Sequence, residues 1–238
     1  MAETLVLLHG FAGTRRAWDA VIECLRGGQR YRPLAVDLRG HGGARDARPI
    51  GIDACMADVG AAAPARFALC GYSLGGRIAL HVALARPQRV TRLVLVATTA
   101  GIEDPRERRA RRDADEALAA KIEHQTIAAF ADCWTAQPLF AGTPPEALAV
   151  WRTDMLRNDP WALSAALRGI GTGEMVPLWD RLGELAMPVT VVVGEHDGKF
   201  RALGERMAAA VARGELIVVP GAGHGLPRDA PGALAAAL

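Results

Sequence analysis

The chain has 238 residues, half of them apolar and 23% charged, with 28 basic and 26 acidic side chains and a net charge of only +2. That length suits one sizeable domain with a full core, and the composition excludes a disordered or fibrous chain. Near-balanced charge leaves no electrostatic footprint for nucleic acid, and no window reaches the about 18 unbroken apolar residues of a membrane span.

Residues 1–4 run straight into Leu5-Val6-Leu7-Leu8 with neither a basic leader nor a small-residue cleavage site, so no signal peptide is expected. The four cysteines (24, 55, 70 and 133) have neither disulfide-scaffold nor zinc-site spacing, and a reduced, cytoplasmic protein is the plain reading. Short Val- and Leu-rich runs at 4–8, 33–37, 67–70, 92–97, 189–193 and 215–219 predict strands with little alternation, as parallel strands covered on both faces require. Ala-rich amphipathic stretches such as 77–86 and 200–213 lie between them. The fold class expected is therefore α/β, a mostly parallel sheet flanked by helices. The rhythm breaks from about 101 to 176, where helices are predicted at 106–121, 126–134 and 144–155. We read this region as a helical lid inserted into one domain whose core is about 1–100 and 177–238.

Gly71-Tyr72-Ser73-Leu74-Gly75 follows the third strand and precedes a helix, which is the context of a nucleophile elbow. Glycines flanking the serine let strand and helix approach closely and push its Oγ into the open. A serine nucleophile needs a base, and the base an orienting acid, in the chain order serine, acid, histidine for this architecture. Asp197 follows the fifth strand, with Glu195 as a rival two residues earlier. His224 follows the sixth on a Gly-rich loop, with His196 and His41 as rivals in less suitable places. One helix and one strand separate Asp197 from His224 and return the chain to the same sheet edge, where catalytic groups gather. The backbone amides of Leu74 and of Phe11, in the His9-Gly10-Phe11 loop after the first strand, would form an oxyanion hole. His9 itself is expected to be a structural hydrogen-bonding residue. No phosphate-binding loop, dinucleotide fingerprint or metal-ligand spacing occurs, so neither cofactor nor metal is expected.

The segments 7–11, 37–42, 71–80 (GYSLGGRIAL), 194–203 (GEHDGKFRAL) and 221–224 resemble the SHCHC synthases (MenH) of menaquinone biosynthesis. The resemblance extends through the insertion, at 108–119, 130–140 and 166–182, and covers nearly the whole chain. It implies an α/β-hydrolase fold and a carbon–oxygen lyase that eliminates pyruvate from 2-succinyl-5-enolpyruvyl-6-hydroxy-3-cyclohexene-1-carboxylate. It further implies that the Ser73-His224-Asp197 triad acts as a base and the oxyanion hole holds an enolate. Arg77, one turn past Ser73, would clamp a substrate carboxylate near the site mouth. The family pattern adds Arg111 as a second carboxylate ligand. Tyr72, Trp134 and Lys199, one of only two lysines, complete the expected pocket. The partner expected is thus a small carboxylate substrate, with no membrane and a monomeric or small homo-oligomeric state. A carboxylesterase or C–C bond hydrolase of the same fold is the alternative.

Overall fold

In the computed structural model, which describes residues 2–238, the strands are β1 (Glu3–Leu8), β2 (Tyr31–Val36), β3 (Phe67–Tyr72), β4 (Val90–Val96), β5 (Val189–Gly194) and β6 (Gly214–Val219). They pair in parallel throughout, in the order β2-β1-β3-β4-β5-β6, where a mostly parallel sheet was expected. The chain moves outward from β1 to β2, then crosses back to place β3 on the other side of β1. This reversal opens a crevice beyond the carboxyl ends of β1 and β3, the place where open α/β sheets bind ligands.

Alternating side chains feed two cores, one on each face of the sheet. Val6 and Leu8 of β1, Leu69 of β3 and Leu93 and Leu95 of β4 enter one. Leu5 and Leu7, Cys70, and Val94 and Val96 enter the other. The strands lack an apolar/polar rhythm because both faces are covered. Helices α1 (Asp19–Leu25), α2 (Ile52–Ala62) and α3 (Leu74–Ala85) follow the first three strands. Helix α3 is buried along almost its whole length, and Ile78, Leu80 and Val82 are fully enclosed.

Between β4 and β5 the chain forms α4 (Pro105–Glu123), α5 (Ile127–Thr135), α6 (Pro145–Met155) and α7 (Pro160–Ile170). Asp104, Thr126 and Asp159 cap α4, α5 and α7 through their side chains, satisfying first-turn amides that have no helical partner. The Arg168 guanidinium of α7 bridges Glu116 and Glu123 of α4, fastening the two helices side by side. Phe130, Trp151, Met155 and Leu163 join the second core, so the inserted helices share the packing of the sheet. Helices α8 (Gly198–Ala210), α9 (Leu226–Asp229) and α10 (Pro231–Ala237) complete the chain. Among the described residues no helix is long and apolar enough to cross a membrane.

Candidate active site

Ser73 sits between β3 and α3 at φ +51° and ψ −109°, a conformation that a residue with a Cβ adopts only under strain. The surroundings enforce it. The Ser73 amide donates to the Val96 carbonyl at 2.9 Å, and the Thr98 hydroxyl donates to the Ser73 carbonyl at 2.7 Å. A Cβ on Gly71 would collide with the Gly75 carbonyl, and one on Gly75 with the Leu8 carbonyl, so the strand–helix crossing closes only on glycine.

The three distant segments converge. The His224 imidazole places Nδ1 2.6 Å from Asp197 Oδ2 and Nε2 3.3 Å from Ser73 Oγ. His224 and Asp197 are 3% and 6% exposed, which keeps water from competing for the pair. The rivals lie elsewhere. Glu195 and His196 are exposed, and the Glu195 carboxylate accepts the Gly221 amide at 2.8 Å, tying the loop after β5 to the loop after β6. His41 is enclosed against His9 and Phe11, with ring centroids 5.0 and 5.6 Å away.

Leu74 opens α3, so its amide belongs to the first turn, whose N–H groups have no intrahelical acceptor. Phe11 lies in the loop after β1, and Gly10 beside it runs close against the Tyr72 ring and Ser73. His9 braces this loop: its Nε2 accepts the Leu38 amide at 3.0 Å, and its Nδ1 lies 2.8 Å from the Gly10 carbonyl. Burial lowers the His9 pKa, and burial followed by the neighbouring His9 lowers that of His41 to about 3. Both are held neutral, whereas an unfolded histidine titrates near 6.5. The unfolded chain therefore binds more protons between about pH 6.5 and pH 3. Stability is fully present above that window and is lost as pH falls through it, at about 1.4 kcal/mol per pH unit for each proton. We expect the urea midpoint to drop between pH 7 and pH 4.5, and a His41→Gln variant to show a shallower drop. An identical pH slope in that variant would rule out His41 as a source of the acid lability.

A cleft of about 360 Å³ opens beside Ser73, lined by Leu74, Arg77, Arg111, Trp134, Lys199 and His224 among others. A second, mostly apolar recess of about 50 Å³ shares Phe11, Ser73, Trp134 and His224 with it and adds Tyr72, Phe140 and Trp151. The sequence placed Arg77 near the site mouth; it is instead 7% exposed, because α3 lies at the centre of the fold. Its Nη1 donates to the Ile170 carbonyl at 2.8 Å, and no carboxylate among the described residues pairs with it. Burial, followed by repulsion from Arg111, brings its pKa down to about 10, so it remains a cation at neutral pH.

Arg111 also lines the cleft, but it is half-exposed and engaged by Asp115 at 2.8 Å, one helical turn away. Its neighbour Arg112 lies toward Glu174, 3.8 Å away. Lys199 is exposed at the rim. Trp134 stacks edge-on against Phe11 at 5.1 Å between ring centroids, and the Tyr72 ring lies 5.4 Å from that of His224. Asp115, Asp154 and Arg228 also line these cavities. Sequence reasoning missed all three.

A parallel sheet with a strained serine after β3, a carboxylate after β5 and a histidine after β6 defines an α/β hydrolase. The alpha/beta hydrolase family profile matches residues 5–237, and the chain belongs to that family. Its relatives narrow the assignment. The 2-succinyl-6-hydroxy-2,4-cyclohexadiene-1-carboxylate synthase of Enterobacter sp. (strain 638) is 33% identical over 98% of this chain and 89% of its own length. The enzyme of the same name from Salmonella paratyphi A is 33% identical over 97% of this chain and 90% of its own. Within the superfamily, the chain belongs to the family of these synthases. MenH from S. aureus superposes with a TM-score of 0.91 at 28% identity, over 98% of this chain and 91% of that one. An enol-lactonase from Burkholderia xenovorans LB400 (TM-score 0.80, 22% identity, 99% of this chain and 89% of that one) shares the fold.

Proposed function

We propose that this chain is a 2-succinyl-6-hydroxy-2,4-cyclohexadiene-1-carboxylate synthase, eliminating pyruvate from the enolpyruvyl precursor in menaquinone biosynthesis. The observation that carries the reading is Arg77: a guanidinium buried beside Ser73 that no carboxylate among the described residues pairs with, Asp115 on the same cleft attracting it without direct contact. A buried cation without an anion is costly, and a carboxylated ligand supplies the missing charge. Lys199 and Arg111, the latter shared with Asp115, add further positive charge on the same cleft, as a substrate with several carboxylates would require. A carboxylesterase or C–C hydrolase would use the same triad but has no need of that charge.

In this mechanism His224 takes the Ser73 proton, and Asp197 stabilises the resulting imidazolium while holding the ring in position. The Ser73 alkoxide then removes a ring proton from the substrate. The electron pair flows toward the succinyl ketone, whose oxygen becomes an enolate held by the Phe11 and Leu74 amides. Reversal of that flow breaks the ring C–O bond and expels pyruvate as its enolate, which is protonated to pyruvate. The inserted helices act as a lid over this chemistry, and the aromatic walls from Trp134 and Tyr72 exclude water that would otherwise level the basicity of the alkoxide.

The direct test is to supply the enolpyruvyl substrate to the purified protein and follow pyruvate through a coupled dehydrogenase assay. Steady pyruvate release is the expected result. Brisk hydrolysis of p-nitrophenyl esters with no pyruvate would transfer the protein to the hydrolase alternative.

A further inference from the structure

Besides His9, the loop that carries the Phe11 amide is anchored by side chains from the inserted region, on α6 and in the turn between α6 and α7. Ala12, the next residue, stands at φ +61°, a conformation that alanine does not hold unaided. Its carbonyl accepts the Asn158 side-chain amide at 2.8 Å. The same side chain accepts the Gly42 amide at 2.9 Å, next to the His41 ring that packs edge-on against Phe11. Two residues past Ala12, the Thr14 amide and hydroxyl both donate to the Asp154 carboxylate, at 3.1 and 2.5 Å. Asp154 in turn pairs with Arg228 at 2.7 Å, on α9 just beyond His224. Asp154 and Asn158 are 3% and 6% exposed, and Asp154 lines the recess that reaches Ser73.

We infer that Asp154 and Asn158 are positioning residues that set the Phe11 amide against the reacting oxygen, which makes the inserted helices part of the catalytic scaffold as well as a cover. Both clamps hold backbone within three residues of Phe11, and in a buried site such hydrogen bonds are short-range and directional. A displacement of even part of an ångström at an oxyanion donor weakens the enolate more than the ground-state ketone, so the loss should fall on kcat. The inference rests on the oxyanion role proposed above for Phe11.

Two variants test it. Thr14→Val keeps the shape and removes the hydroxyl donor, and Asn158→Asp keeps the acceptor for Gly42 while withdrawing the donor from Ala12. Each should lower kcat for pyruvate release about tenfold or more, with KM within about threefold. Each should also slow capture of the Ser73 oxygen by a fluorophosphonate, in which a P–O bond forms, fluoride leaves and the serine proton passes to His224. Rates are taken per titratable serine, so loss of folded protein drops out, and Thr14→Ser should restore both rates. Because phosphonate capture does not involve the cyclohexene substrate, a wild-type protein that is captured but releases no pyruvate would defeat the functional reading while the capture rates still judge the clamps. Unchanged rates in either folded variant, or an equal loss in Thr14→Ser, would overturn the inference.

Discussion

Ser73→Ala is expected to cut pyruvate release by about four orders of magnitude or more, with the fold retained. The size follows from what stays behind. Without the hydroxyl, the imidazole of His224 remains oriented by Asp197 at 2.6 Å, but its free nitrogen lies one atom short of the substrate, where only a trapped water could relay the proton. Folding should be little changed, because alanine at φ +51° is as strained as serine and, among the described residues, the hydroxyl's hydrogen bonding is the 3.3 Å approach to His224. Intact-protein mass spectrometry of the wild type during turnover adds a second criterion. A serine acting as base forms no covalent adduct, whereas a serine acting as nucleophile would accumulate one when its breakdown is slow. A Ser73→Ala protein retaining more than about a tenth of the wild-type rate would remove the serine from the mechanism.

How far the sequence could be read depended on whether a feature was local. Ser73, Asp197 and His224 each stand in a short strand-and-turn signature, and the alternation of β and α segments fixed which sheet edge they share. Asp197 and Glu195 both follow β5, and Asp197 was preferred over its rival two residues earlier. The physical reason is visible in Glu195 being spent on the Gly221 amide. Within the Arg-rich run of α4, the sequence could not settle which arginine faces inward, because one residue of slip turns a helix by 100°; Arg111 lines the cleft and Arg112 lies toward Glu174. Helix α7 was missed although Asp159-Pro160 is a capping residue followed by proline at the first helical position. Gly169 lies within the last turn of that helix and Gly171 caps it, so its end carries residues that disfavour helix. Asp154 and Asn158 left no trace at all, since their partners Thr14 and Ala12 lie 140 and 146 residues away.

Arg77→Met should separate the needs of the fold from those of the substrate. Its guanidinium is desolvated and shares its surroundings with Arg111, and the pKa of about 10 reflects both penalties, burial first. The charged form is disfavoured throughout the range below about pH 10, so the cost is constant across neutral pH. Methionine removes a buried charge worth several kcal/mol of desolvation and fills similar volume. Against this stands the loss of one hydrogen bond to the Ile170 carbonyl, about 1–3 kcal/mol when the acceptor is left unpaired. The first effect is the larger, so the melting temperature of the variant should hold or rise. Activity should move the other way. Truncating one partner of a buried ion pair with substrate forfeits about 2–5 kcal/mol, which places the loss in kcat/KM between about thirtyfold and a few thousandfold. A neutral p-nitrophenyl ester, which has no carboxylate to offer Arg77, should be cleaved by wild type and variant at similar rates. Equal losses on the tricarboxylate and on the neutral ester would mean that Arg77 shapes the elbow, and the cleft would lose its claim to a polyanionic substrate.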